Sequence, residues 1–75
     1  MPSSIPSISG AKVVRALESA GFSVARVNGS HHVMRHPDGR SVAVPVHAGR
    51  DIAKGTLRGI LTGVGITPDE LAKLL

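Results

Sequence analysis

The first regular pattern along the chain has the period of an α-helix. From Val13 onward the apolar residues return every three or four positions with charged residues between them, and Gly21 follows as a stop. We therefore predict a first helix over about Gly10–Ala20, with Ser9 or Ser7 as its N-cap.

The period then falls to two residues, which is the alternation of a β-strand. Three such segments, FSVARV, SHHVMRHP and RSVAVPV, are separated by the pairs Asn28-Gly29 and Asp38-Gly39. Both pairs favour two-residue hairpin loops between antiparallel strands. The pattern therefore predicts a three-stranded antiparallel meander.

Helical spacing returns after His47 and predicts a second helix that starts between Asp51 and Thr56. A full capping box, Thr67-Pro68-Asp69-Glu70, then opens a short last helix. The predicted fold class is α+β, with a helix, the meander, a second helix and a short C-terminal helix. The apolar positions of the second helix are Leu57, Ile60, Leu61 and Val64.

With 75 residues the chain has the length of one small domain. Residues 1–8 contain several Ser and Pro and are predicted to be a flexible arm, followed by a single domain over residues 9–75. Phe22 is the sole aromatic residue, so the core must be aliphatic and aromatic base stacking has almost no ring to use. We find no signal peptide or membrane-spanning stretch, so we expect a cytoplasmic protein without a membrane partner.

Charge adds a candidate for anion binding. Nine Lys and Arg against five Asp and Glu give a formal net charge of +4, which suits a polyanion or an acidic protein partner. Arg50, Lys54 and Arg58 gather around the predicted start of the second helix, where free N–H groups and the helix dipole also attract anions. We predict that these residues bind phosphate groups, with ordinary solvated surface charge as the alternative.

Three of the four histidines lie in the stretch NGSHHVMRHPDG. If both turn pairs form two-residue loops, His32 of the central strand lies opposite Pro45. Alternation then leaves His32 and Met34 on the open face of the sheet, with His47 about 7 Å from His32 on the diagonal. The face predicted to lie under the helices carries Phe22, Val24, Val33, Val42, Val44 and Val46.

Imidazole has an ordinary pKa near neutrality, which makes it the side chain best suited to move protons at cellular pH. His32 and His47 are therefore the candidate catalytic residues. The alternatives are a structural role for His32 and an exposed, inert side chain for His47. A metal site is not expected, because the adjacent His31 and His32 point to opposite faces, no carboxylate lies between His31 and His36, and Asp38 is better explained by the backbone geometry of its turn.

The chain resembles the HicA toxins, small mRNA interferases of bacterial and archaeal toxin-antitoxin pairs, over Ser9 to Leu75. The similar segments are SGAKVVRALESAGF, NGSHHVM, VAVPVHAGRDIAKGTLRGIL and GITPDELAKLL. GSHH followed at this spacing by VPVH and KGTL is much more specific than GSHH alone. The short tail helix and the N-terminal arm are additions relative to the shortest members of the family.

The resemblance implies a fold like that of double-stranded-RNA-binding domains and cleavage of mRNA without a cofactor. In the family the catalytic histidine follows a Gly-Ser-x sequence, which corresponds to His32 here. The resemblance also implies a HicB-type antitoxin as partner, with a monomeric free toxin and a hetero-oligomer with the antitoxin. The alternative function is a non-catalytic RNA-binding or protein-interaction module on the same fold.

Overall fold

A computed structural model describes residues 7–75 of the chain. Its three strands form one antiparallel sheet in the order β1-β2-β3, between one helix before the sheet and two after it. The predicted α+β fold is therefore confirmed. The elements are α1 (Gly10–Ser19), β1 (Ser23–Asn28), β2 (His31–Arg35), β3 (Ser41–Pro45), α2 (Lys54–Val64) and α3 (Pro68–Leu74).

The first and last helices begin at their predicted caps. The Ser9 side chain accepts a hydrogen bond from a backbone N–H in the first turn of α1, and Thr67 and Glu70 form the capping box of α3. Helix α2 starts at Lys54, inside the predicted interval, and is capped at its end by Gly65 with a φ of 72°, a left-handed conformation that glycine adopts without strain. In residues 7–75, no helix has both the length and the apolar character that a membrane crossing requires.

The core lies between the helices and one face of the sheet. Ile8, which the sequence assigned to the flexible arm, is buried in this core, and its carbonyl accepts a hydrogen bond from the Ile52 N–H at 2.8 Å. The folded domain therefore includes Ile8, while residues 1–6 of the predicted arm lie outside the described residues. The largest fully buried side chains are Leu17, Met34, Leu57, Leu71, Val13, Val44 and Val64.

The first hairpin turns at Gly29 and Ser30, one position later than predicted. Asn28 lies opposite His31 in the sheet. Of the residues around this turn, only Gly29 has a positive φ, of 61°. A positive φ at the first loop residue alone is the pattern of a type II′ turn, which favours glycine there.

The second hairpin has a three-residue loop, Pro37 to Gly39, instead of the predicted two-residue loop. The His36 N–H donates to the carbonyl of Arg40, and the Gly39 N–H donates to the carbonyl of His36. A two-residue loop would require Pro37 to donate a backbone N–H across the hairpin, and proline has none. Pro37 therefore takes the second position of the turn, and Gly39 closes it with a φ of 99°.

The longer loop shifts the pairing of β2 with β3 by one residue from the predicted register. A shift of one residue exchanges the two faces of a strand. His32 lies opposite Val27 on β1 and Val44 on β3, and Met34 lies opposite Val42. Met34 and Val44 are fully buried, so His32 shares the helix-covered face, and the prediction that His32 and Met34 lie on the open face is wrong. The open face instead carries Arg26, His31, Val33, Arg35 and Ala43.

Candidate active site

His32 lies near the start of β2, on the helix-covered side of the sheet, but its side chain is only partly buried. Its Nδ1 atom is buried without a hydrogen-bond partner, and within residues 7–75 no other side-chain nitrogen or oxygen is in that condition. The Nε2 atom is not enclosed in this way and is the nitrogen that solvent or a ligand can reach. A buried polar atom without a partner costs about 1–3 kcal/mol, and folded domains contain few of them.

The two strands beside His32 differ in how far the helices cover them. On β3 the opposite residue, Val44, is fully buried, whereas on β1 the opposite residue, Val27, is 55% exposed. Every residue of β1 is exposed, including Val24 on the same side of the sheet. His32 therefore lies at the margin of the helical layer, with an open approach across β1.

The structure also changes the reason for choosing His32 over its neighbour. His31 lies on the open face, opposite Asn28 and Pro45, and is exposed. His32 was predicted to lie on that face but lies on the helix-covered side, so its position in the sheet no longer favours it over His31. The choice now depends on the position of His32 in the GSHH motif and on its partnerless Nδ1 atom.

His47 and Arg50 lie beyond the end of β3 and line one cleft of about 240 Å³ with Pro45 and Asp51. The Arg50 N–H donates to the carbonyl of His47 at 3.1 Å. The lining of this cleft does not include His32. His32 lies opposite Val44 and not opposite Pro45, so the register from which the diagonal placement of His47 beside His32 on the open face was predicted is wrong.

Lys54 and Arg58 occupy the first two turns of α2, and both are exposed. The N-cap residue of this helix, Ala53, supplies no side-chain hydrogen bond, and the first turn contains no acidic residue. The structure therefore places the three predicted phosphate-binding residues, Arg50, Lys54 and Arg58, near the start of α2. The helix dipole favours negative charge there.

His36, at the other end of β2, is held by several contacts. Its ring meets the edge of Phe22 with 5.0 Å between ring centroids, and its Nδ1 accepts a hydrogen bond from the Asp38 N–H at 3.1 Å. Arg40 lies over the Phe22 ring, donates to the Asp38 carboxylate at 2.8 Å and donates to the carbonyl of Val64. The backbone N–H and then the guanidinium of Arg40 lower the pKa of Asp38. These contacts indicate a structural role for His36.

The histidines do not converge on one point. His31 and His32 point to opposite faces of β2, and His36 and His47 lie at different ends of the hairpin strands. Within residues 7–75 there is no group of three or more His, Asp or Glu side chains placed to hold a metal ion.

Comparison with known proteins adds a family assignment to this geometry. The family model described as the HicA toxin of bacterial toxin-antitoxin matches residues 10–66. The chain belongs to the HicA toxin family. The match runs from the start of α1 to Ile66 beyond α2 and includes both candidate catalytic histidines, whereas α3 lies outside it. A search of curated proteins found no match.

Proposed function

We propose that the protein is a toxin endoribonuclease that cleaves mRNA in the cytoplasm through His32 and is neutralised by a HicB-type antitoxin. One observation carries most of this proposal. The imidazole with the partnerless Nδ1 atom stands at the GSHH position where the HicA family has its catalytic histidine. The ring is only partly buried and lies opposite the exposed Val27 of β1, the side from which we propose that the substrate approaches.

RNA supplies its own nucleophile for this reaction. The ribose 2′-hydroxyl attacks the adjacent phosphorus, the bond from phosphorus to the 5′ oxygen breaks, and a cyclic phosphate and a 5′-hydroxyl result. One group must take the proton of the 2′-hydroxyl, and one must give a proton to the leaving oxygen. We assign one of these two transfers to Nε2 of His32.

The second proton transfer is assigned to His47. His47 has the same imidazole chemistry, it is exposed, and it shares its cleft with Arg50. Its assignment depends on this chemistry alone, since no described contact joins it to His32. Cleavage by a His47→Ala variant at the wild-type rate would remove His47 from the mechanism.

The negative charge on the phosphate needs a positive counterpart during the reaction. Arg50, Lys54 and Arg58 are proposed to bind the RNA backbone near the start of α2, where they are exposed on one side of the domain. Fixed cations beside a phosphate that gains charge in the transition state lower the barrier to cleavage. No metal ion or other cofactor is part of the proposed reaction.

Cleavage of purified RNA tests the central assignment. His32→Ala should slow cleavage by about 10²-fold or more, the usual contribution of a general acid or base. His31→Ala is the matched control, because it removes the adjacent imidazole from the opposite face and should leave the rate unchanged. Equal rates for wild type and a folded His32→Ala variant would contradict the proposal.

Two further measurements separate the proposal from its alternatives. A chelator should leave the cleavage rate unchanged, and inhibition that zinc reverses would contradict a metal-free mechanism. A non-catalytic RNA-binding module would bind RNA without cutting it. Co-expression with the protein encoded by an adjacent reading frame should suppress toxicity and yield a hetero-oligomer, if that protein is the antitoxin.

A further inference from the structure

The open face of the sheet carries two arginines, one on each of two neighbouring strands. Arg26 on β1 and Arg35 on β2 line one shallow cleft of about 300 Å³, with Ala25 and Val33 between them. Both arginines are exposed. They belong to neighbouring strands and lie on the side of the sheet away from the helices.

The β-bulge in β1 creates this arrangement. Val24 faces the helical side, opposite Met34, and simple alternation would put Arg26 on that side as well. The extra residue at Ala25 shifts the register by one, so that Arg26 lies opposite Val33 on the open face. Bulges re-aim side chains in this way and are treated as built features of a sheet.

The charge of this face is not neutralised by the domain itself. The sequences of the three strands, SVARVN, HHVMR and SVAVP, contain no Asp or Glu. Within the part of the chain that the structure describes, neither Arg26 nor Arg35 forms an ion pair, whereas Arg40 is paired with Asp38. Two guanidinium groups are therefore free to bind an anion from outside.

We propose that Arg26 and Arg35 bind the phosphate backbone of single-stranded RNA on the open face of the sheet. This inference rests on the proposed function and adds a second part to the substrate path. The planar fork of a guanidinium donates two hydrogen bonds to a phosphate, a geometry that suits arginine better than lysine. His32 lies on the opposite, helix-covered face of the sheet, beside Val27. RNA bound on the open face therefore reaches His32 by passing around the exposed edge strand β1.

An acidic protein is the other polyanion that could bind this face, and the composition of the cleft disfavours it. Protein interfaces are centred on aromatic and other large buried side chains. Between the two arginines this cleft offers only Ala25 and Val33. Contacts to phosphate need no such apolar centre, because they depend on charge and hydrogen bonds.

The salt dependence of RNA binding measures these contacts directly. A fluorescein-labelled single-stranded RNA of mixed sequence is titrated with the His32→Ala protein at several KCl concentrations, so that binding is followed without cleavage. Each phosphate contact contributes about 0.7 to the slope of log affinity against log salt. Adding Arg26→Gln and Arg35→Gln should therefore lower the magnitude of the slope by about 1.4.

Two control pairs keep the test specific. Lys12→Gln with Arg15→Gln removes the same amount of charge from a groove between α1 and α3 and should leave the slope unchanged. Arg26→Lys with Arg35→Lys keeps both charges on the open face and should keep most of the slope. Thermal unfolding checks that every variant is folded.

An unchanged slope for the Arg26→Gln, Arg35→Gln protein would overturn the inference, and cleavage by the wild type would then leave the proposed function intact. Intact RNA binding together with lost antitoxin binding would also overturn it and would make this face a protein-binding surface. If the wild type neither cleaved nor bound RNA, the proposed function would fail and the inference with it.

Discussion

His32 near the start of β2 and His36 just after its end differ strongly in how their side chains are supported. At the end near the second hairpin, the His36 ring packs on Phe22 and accepts a hydrogen bond from Asp38. At the end near the first hairpin, His32 has a buried Nδ1 atom without a partner and an exposed valine opposite it on β1. One histidine is fixed by its surroundings, and the other is left with unused hydrogen-bonding capacity.

The hairpin beside each histidine is held differently. The hairpin around His36 is tied to the helical layer, since Arg40 reaches the carbonyl of Val64 at the end of α2. At the other end of β2, the Gly29-Ser30 turn is held to the segment after β3, where the Val46 N–H donates to the carbonyl of Ser30 at 2.7 Å. The proposed proton transfer by His32 requires a ring nitrogen that RNA reaches, and the exposed strand β1 leaves this end of β2 the less covered one.

Removing each histidine in turn is the strongest test of this comparison. His32→Ala should lower the cleavage rate by about 10²-fold or more with less than about 1 kcal/mol lost in unfolding free energy, because the lost packing is offset by removal of a partnerless polar atom. His36→Ala should cost about 2 kcal/mol of stability through the lost ring contact and hydrogen bond, while folded protein keeps its cleavage rate. Denaturant unfolding and RNA cleavage measure the two effects.

The comparison fails if the two variants exchange these results. A His32→Ala protein that unfolds as readily as His36→Ala, and that loses cleavage only in proportion to its unfolded fraction, would make His32 a core residue. An intact fold with lost cleavage in His36→Ala would make His36 part of the catalytic machinery.

Arg40 gives the next largest effect, because it connects the second hairpin to two other parts of the fold. Arg40→Ala removes the ion pair with Asp38, the contact with the Phe22 ring and the hydrogen bond to Val64. We expect a loss of about 2 kcal/mol in unfolding free energy, since hydrogen bonds to charged groups contribute about 1.5–3 kcal/mol and the partly exposed site reduces the ion-pair share. Arg58→Ala on the exposed side of α2 is the stability control. A loss no larger than that of the control would show that the hairpin needs no such anchor.

How much of this could be predicted depends on whether the signal was local. Helix starts were predictable because Ser9 and Thr67 cap helices through atoms within three residues of themselves. The GSHH motif is local in the same way, since it depends on a few adjacent residues, and the catalytic role that it implies for His32 stays a prediction. Neither inference required knowledge of how strands pair.

The strand register could not be predicted from the Asn-Gly and Asp-Gly pairs alone. Pro37 was present in the sequence as the deciding signal, since a residue without an N–H cannot close a two-residue hairpin. The bulge at Ala25 had no comparable signal, because nothing local distinguishes Ala25 from its neighbours. The face of Arg26, and with it the cationic cleft of the open face, therefore emerged only from the structure.

The smallest expected effect concerns the stability at acid pH of the second hairpin, which contains Asp38 and Arg40. Hydrogen bonds from the Arg40 backbone and side chain lower the pKa of Asp38 from its ordinary value of 3.8. The carboxylate therefore stabilises the fold at pH values above 3.8, and this contribution is lost as the pH falls below that value and the group is protonated. Unfolding curves from pH 6 down to about pH 2 should show a weaker dependence for Asp38→Asn than for wild type. Identical curves would show that the carboxylate adds nothing to the anchoring of this hairpin, and that Arg40 holds it through Phe22 and Val64 alone.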